Sequence, residues 1–448
     1  MMISSSPTEP APSSRPLPPR VVIVGAGFGG LQAAKVLGGE AVRVTVCDRL
    51  NYHLFQPLLY QVAMAGLSAT DVAVPIRSIL HDRNVEVLMA EVTGIDLAAH
   101  TVRLADGASA PFDYLILAAG ALTNYYGHDD WAPFAPGLKD LHDALDIRRR
   151  VLLAFEAAER ATDSAVRKRL LTFVVIGGGA TGVELAGAIA DLSRDILRRD
   201  FRHVRPDDTE VVLVEMSDRI LAPFDPGLAV RAADQLLELR VKVRIGVRVS
   251  RIDATGVWLG DDFVPAATVL WGAGVTPSPL VHALDAPLDR ASRVIVEQDC
   301  SVPGHREVFV IGDMAGFIPP GTDRALPGIS PVAIQQGRAA ARNILRDLRG
   351  EPRVPFEYFD KGFMATIGRA RAVAQLRGLR LWGLPAWLAW VFIHLWYLVG
   401  FRNRVAVFVN WIWSYLMAKH GARLISDVPP PPGGHLPETK SWGRTSTR

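Results

Sequence analysis

Two stretches of this chain repeat one pattern. RVVIVGAGFGGLQAAKVL begins at Arg20 and LTFVVIGGGATGVELAGAIA at Leu171; each has an apolar β-branched run, glycines in GxGxxG spacing and a helix-forming continuation. The first glycine makes a tight turn after a parallel strand, the second lets a pyrophosphate approach the backbone, and the third lets helix and strand pack closely. The pyrophosphate then lies against the unpaired N–H groups and positive dipole end of the helix. The glycines are Gly25, Gly27 and Gly30, then Gly177, Gly179 and Gly182. A second strand follows each helix and ends in an acid, Asp48 after VRVTVC and Glu215 after EVVLV. A carboxylate there accepts hydrogen bonds from an adenosine ribose. The fingerprints are 152 residues apart (177 minus 25), so two dinucleotides are held by two separate βαβ units. Glu215 favours NADH over NADPH, because a carboxylate repels a 2′-phosphate; Arg219, close by, pulls the other way.

Three later segments sort the two sites. FDYLILAAG (112–120) and ATVLWGAGV (267–275) are apolar strands ending in small residues, where a chain can cross close to a cofactor. REVFVIGDMAG (306–316) places Asp313 just after a strand and a glycine, where a turn or helix cap is the plain alternative. This order resembles the two-dinucleotide-binding-domain flavoproteins. The resemblance implies FAD on the first fingerprint, NADH on the second, and an NADH domain inserted in the FAD domain. The expected fold class is α/β, with two Rossmann-like domains followed by apolar, membrane-anchoring C-terminal helices. The expected limits are a disordered tail over 1–20, FAD domain over 21–145 and 291–350, NADH domain over 146–290, membrane-association region over 351–427 and a disordered tail over 428–448.

Composition narrows the chemistry. Cys47 and Cys300 are the only cysteines in 448 residues and form no CxxC pair, so neither a dithiol centre nor a structural zinc is expected. No His/Cys/Asp/Glu cluster has metal-ligand spacing, and no iron–sulfur signature is present. The net charge of +3 conceals an asymmetry. Between Lys361 and Ser426 there are nine Lys or Arg and no Asp or Glu, leaving 40 basic against 46 acidic residues elsewhere. An acidic body does not suit nucleic acid; the basic segment suits lipid headgroups.

With these segments, DRLNYHLFQPLLYQVAMAGLS, PVAIQQGRAAARNI, FDKGFMATIGRA and the aromatic C-terminus make the chain similar to type II NADH:quinone oxidoreductases, the single-chain, non-proton-pumping NADH dehydrogenases. The resemblance covers roughly residues 21 to 425. It implies one non-covalent FAD, no metal, and a quinone acceptor, menaquinone or ubiquinone. It implies a homodimer, peripheral and monotopic on the cytoplasmic face of the inner membrane. FAD contacts are then expected from Gly25, Gly27, Phe28, Gly29, Gly30, Asp48, Arg49, His53, Gln56, Ala119, Gly120, Gly312, Asp313 and Ala333. NADH contacts are expected from Gly177, Gly178, Gly179, Ala180, Thr181, Gly182, Glu184, Glu215, Ala273 and Gly274. Pro57, Leu58, Gln335 and Gln336 are expected at the quinone. Glu184, Gln335 and Lys361 are the candidate catalytic side chains. Glu184 could bind the carboxamide or move a proton, Gln335 could donate to a quinone carbonyl, and Lys361 could stabilise negative charge on reduced flavin. Each has a plain alternative: an acid at a helix start, a solvent-facing amide, a surface lysine. Ser330-Pro331 stands where many of these enzymes have a further glutamine. A flavoprotein reductase with a soluble acceptor and a nucleotide-sensing scaffold are the competing functions.

The apolar run from Leu381 to Phe401 is long enough on length alone to span a bilayer. Arg377 and Arg380 precede it and Arg402 and Arg404 follow, so no positive-inside asymmetry appears. Six of the ten tryptophans are spread between Trp382 and Trp413, which suits an interfacial anchor better than a span. Burial in a protein interface is the third possibility.

Overall fold

The computed structural model describes residues 17–196, 200–417 and 422–425. Most of the expected N-terminal tail and all of the expected 428–448 tail lie outside the described residues.

The first unit is built on β1 (Arg20–Val24), α1 (Phe28–Leu37), β2 (Arg43–Asp48), β3 (Val85–Met89) and β4 (Tyr114–Leu117). β1 pairs in parallel with both β2 and β4, and Val21 and Ile23 are fully buried. A run apolar on both faces is what a central parallel strand requires. The second unit repeats the plan with β5 (Thr172–Ile176), α2 (Ala180–Asp191), β6 (Glu210–Val214), β7 (Val241–Arg244) and β8 (Thr268–Trp271). Its sheet order is β7-β6-β5-β8, all parallel. The chain then returns to the first sheet with β9 (Ser301–Val302) and β10 (His305–Val310), giving the order β9-β10-β4-β1-β2-β3. The second unit is therefore inserted in the first.

The crossing points differ from those expected at 145/146 and 290/291. Ala121–Thr123 leaves the first unit and Val275–Pro277 returns to it, as an antiparallel pair. Tyr125, Trp131 and Ala135 pack with Val174, Ile176 and Trp271 of the second unit. Val281 and Leu284 pack with Leu115 and Phe309 of the first. Both limits move toward the N-terminus because the linker is two short strands with no change of composition. Residues 351–359 belong with the first unit rather than the C-terminal module: Phe356 is in its core, and the Asn343 side chain on helix α3 (Ser330–Leu348) binds the Val354 backbone both ways.

The C-terminal module opens as an antiparallel sheet, β11 (Phe363–Gly368), β12 (Arg371–Leu376) and β13 (Leu379–Trp382). It lies on α2 so closely that a Cβ at Gly187 would meet the Ile367 carbonyl oxygen at 1.6 Å. Asp191 of α2 accepts from the Arg369 N–H at 2.7 Å. The Leu381–Phe401 run is not one helix. It ends β13, turns at Gly383 with φ +65°, forms α4 (Leu384–Tyr397), breaks where Leu398 is extended and Gly400 has φ +89°, and enters α5 (Phe401–Met417). Among the described residues no helix is long and apolar enough to cross a membrane. On α4, Ala386 and Trp390 are buried, while Leu384, Leu388, Phe392 and Trp396 face outward, with Phe392 68% exposed.

Candidate active site

The two fingerprints share one geometry, residue for residue. Gly25 has φ +97° and Gly177 φ +106°, and any Cβ there would meet the backbone of Ala118 or Gly272. A Cβ at Gly30 would strike the Gly25 oxygen at 1.8 Å, and one at Gly182 the Gly177 oxygen at 1.8 Å. Gly27 and Gly179 face open space, which is where a pyrophosphate approaches. The acids match as well. Asp48 accepts from the N–H of Ala26 at 2.6 Å and of Leu50 at 2.8 Å. Glu215 accepts from Gly178 at 2.5 Å and Ser217 at 2.7 Å. Burial pushes the Asp48 carboxyl up, against these N–H bonds. Burial opposes ionisation of Glu215 too, but the Ser217 and Gly178 hydrogen bonds outweigh it and hold that carboxyl below its usual range.

A cavity of about 980 Å³ runs from the first fingerprint to the C-terminal helices. That is the upper end for ligand pockets, as an extended dinucleotide requires. Of the expected FAD residues, Gly25, Gly27, Phe28, Gly29, Asp48, Arg49, His53, Gln56, Ala119, Gly120, Gly312, Asp313 and Ala333 line it. Gly30 instead packs beneath the loop. From the second unit Ala180, Thr181, Glu184 and Gly274 reach the same cavity, whereas Gly177, Gly178, Gly179, Gly182, Glu215 and Ala273 lie beyond its wall. So one end of the second site opens onto the first, as the meeting of a nicotinamide with a flavin demands.

Glu184 stands one turn into α2, between the two units. Burial pushes its carboxyl up to about 8, and an N–H from Thr366 of β11 only partly offsets that. It is therefore largely protonated at neutral pH. His53 is nearly fully buried; its Nδ1–H donates to the Ala26 carbonyl at 2.9 Å, and burial depresses the imidazole to about 4. Lys361 lines the cavity and donates to the Tyr397 hydroxyl at 2.5 Å, its ammonium 4.8 Å over that ring.

Three of the four residues expected at the quinone do not line this cavity. Leu58 is fully buried in the core; Pro57 and the neighbours Leu59 and Tyr60 line the cavity. Gln335 does not line it: Nε2 donates to the Phe359 carbonyl at 3.0 Å and Oε1 accepts from the Phe359 N–H at 3.0 Å. Gln336 is wholly buried and accepts from Gly312 N–H at 2.8 Å, bracing the turn that carries Asp313. On α3 it is Ser330, Pro331, Ala333, Ile334 and Arg338 that line the cavity. Sequence reasoning missed Lys139, His394 and Tyr397, which also line it. His394 donates from Nδ1 to the Trp390 carbonyl at 2.7 Å, stacks on Trp390 and is depressed to about 4 by burial. A polar residue inside an apolar aromatic run was the available signal for His394; none marked Lys139.

Comparison with known proteins gives the family. Residues 19–337 match the model described as pyridine nucleotide-disulphide oxidoreductase, and residues 361–420 match the NDH2 C-terminal domain. The type II NADH:quinone oxidoreductase NdhA of Mycobacterium tuberculosis is 44% identical over 425 residues, 91% of this chain and 89% of the relative. The chain belongs to the type II NADH:quinone oxidoreductases. A plant relative of this type II oxidoreductase, the mitochondrial internal alternative NAD(P)H-ubiquinone oxidoreductase A1 of Arabidopsis thaliana, is 31% identical over 92% of this chain and 87% of its own. The fold is that of NDH2 from Plasmodium falciparum, solved in complex with NADH, with a TM-score of 0.82 at 18% identity over 89% of this chain and 98% of the other. Unlike a disulfide reductase, this type II oxidoreductase presents no dithiol: Cys47 and Cys300 are both free and buried, burial pushing the Cys47 thiol up to about 11 and that of Cys300 higher still.

Proposed function

We propose that the chain passes two electrons from NADH to a membrane quinone, with one non-covalently bound FAD in the cavity and no metal. The observation that carries this is that one cavity is lined together by the first fingerprint, by Glu184 behind the second, and by His394 and Tyr397 of an outward-apolar helix. FAD bound there supplies a two-electron carrier between hydride donor and quinone. The balance is NADH, quinone and one proton giving NAD⁺ and quinol.

The residues orient and charge the site; the cofactor supplies the redox chemistry. The first loop and α1 would hold the pyrophosphate, and Asp48, braced by the Ala26 and Leu50 N–H groups, would accept from the ribose. Glu184, largely protonated, donates to the nicotinamide carboxamide. Lys361 would place a cation on the cavity wall, where it favours negative charge on a bound flavin. Pro57, Leu59 and Tyr60 form an apolar approach for the quinone ring, with Tyr397 as its hydroxyl donor. Glu215, held ionised, selects NADH.

The exposed stripe of α4 supports peripheral attachment to lipid, on the cytoplasmic face where NADH is formed. The outer face of α5, with Val405, Phe408, Val409 and Ile412 exposed, is the apolar area left for a second copy in a homodimer. Stopped-flow flavin absorbance tests the proposal. NADH should bleach the bound FAD and a short-chain quinone should restore it; flavin that stays oxidised in NADH refutes the reading.

A further inference from the structure

The cavity is rich in charge, and its charges are unequally matched. Five carboxyl groups line it, Asp48, Glu91, Asp140, Asp313 and the largely protonated Glu184. Of the cations, Arg49 pairs with Asp140 at 3.5 Å, Arg338 is bound by Gln32 at 2.8 Å, and Lys361 by Tyr397. Lys139 is different. Among the described residues its ammonium makes no hydrogen bond and no ion pair, although it faces the field of Asp313 and, next, of Asp143.

The backbone of Lys139 is fixed on both sides. Its N–H donates to Asp143 at 2.7 Å, and its carbonyl accepts from Gln56 Nε2 at 3.4 Å. Asp140, the next residue, caps the helix Leu141–Arg160 and holds Arg49, which follows the ribose acid Asp48. Lys139 is thus tied on one side to the adenosine end through Asp140 and Arg49 and on the other to Gln56, and its ammonium faces Asp313 across the cavity. Midway along an extended dinucleotide lies its pyrophosphate. That group brings two negative charges into a cavity already lined by carboxylates. Helix N–H groups supply partial charge only, and Lys139 offers a full one.

We propose that Lys139 is the cation that neutralises the pyrophosphate of bound FAD. The proposal rests on the reading of this cavity as the FAD site. Burial holds the Lys139 ammonium below its usual range in the absence of a ligand, and an adjacent dianion reverses that cost. A charge-assisted hydrogen bond of this kind is the strong class.

The test is FAD affinity, measured by reconstituting flavin-stripped protein and following flavin fluorescence across a series of salt concentrations. Lys139→Met should weaken FAD roughly ten- to a hundredfold, the range for a hydrogen bond to a charged group, and flatten the salt dependence. Lys139→Arg should stay within a few-fold of wild type. Lys139→Gln, neutral but polar, repeats the measurement should the Met variant not fold. If neutral variants bind FAD as wild type does, with the same salt dependence, the proposal is wrong. If the wild-type protein itself takes up no FAD, it is the functional reading that fails.

Discussion

The indole N–H of Trp411 donates to Gln61 Oε1 at 2.8 Å, and Gln61 Nε2 donates in turn to the Tyr60 hydroxyl at 2.8 Å. Trp411 belongs to α5, whose other side is exposed and apolar, while Tyr60 lines the cavity. Asn403 adds bonds to the Thr70 and Asp71 carbonyls at 3.0 and 3.1 Å, and Asn410 one to the Asp71 carboxylate at 3.3 Å. The Tyr60 ring also meets Trp390 of α4 edge-on at 6.4 Å. The outer helices and the cavity wall are therefore tied together by hydrogen bonds and ring contacts.

Trp411→Phe keeps the ring and removes this donor. Losing one such hydrogen bond costs about 1 kcal/mol. The KM for a short-chain quinone should rise about fivefold, while the rate at which NADH bleaches the flavin stays level. An equal fall in the bleaching rate would place Trp411 in general stability rather than in the quinone half-reaction.

Glu184 gives a pH prediction whose sign is fixed. Its carboxyl is raised from 4.5 to about 8 by burial. Below 4.5 the group is protonated in folded and unfolded chains alike and contributes nothing. Between 4.5 and about 8 the unfolded chain ionises while the folded chain keeps its proton, so stability falls as pH rises. Glu184→Gln removes this loss. The variant's stability relative to wild type should grow through that window, by on the order of a few kcal/mol, as read from denaturant midpoints at several pH values. The bleaching rate of the variant should also lose its inflection near pH 8. A wild-type inflection that survives in Glu184→Gln belongs to another group.

Gly187→Ala puts a carbon where the Ile367 carbonyl already is. The sheet β11–β13 must shift off α2, at about 3 kcal/mol or more. Limited proteolysis should release the C-terminal module well below the melting temperature of the wild type. Unaltered protease resistance would mean that the contact yields more cheaply than its geometry says.

Phe392 and Trp396 are 68% and 65% exposed. Charging either should leave the melting temperature nearly unchanged, since surface substitutions stay within about 0.5 kcal/mol. Binding to anionic vesicles in a flotation assay should drop about tenfold or more for Phe392→Glu, from the roughly 1.5–3 kcal/mol of a buried large apolar side chain. Undiminished flotation would move the lipid contact elsewhere.

The two fingerprints were legible because their glycines are forced by local geometry: turn, approach and packing all act within a few residues. The acids Asp48 and Glu215 follow from strand length. The domain limits were not legible, because Ala121–Thr123 and Val275–Pro277 find each other across the whole second unit and carry no local mark. The partner of Gln335 was hidden for a related reason. A helix pattern shows which residues share a face, but only packing tells which neighbour that face meets, and here it is the Phe359 backbone. Lys139 was invisible for the same cause: it is brought opposite Asp313 by tertiary structure alone. The break at Leu398–Gly400 could be read only in part, since one glycine inside an apolar run does not by itself end a helix.

The C-terminal module grips both nucleotide units. Its sheet reaches the second unit through Asp191, Gln375 to the Asp225 N–H, and Arg380 to the Asp225 carboxylate at 2.9 Å. Its helices reach the first through Gln61, Asp71 and Phe55. The segment without a nucleotide of its own thus acts as a strut between donor and acceptor. With α4 resting on lipid as proposed, any displacement of that helix would be passed to both nucleotide units, and so to the gap a hydride must cross.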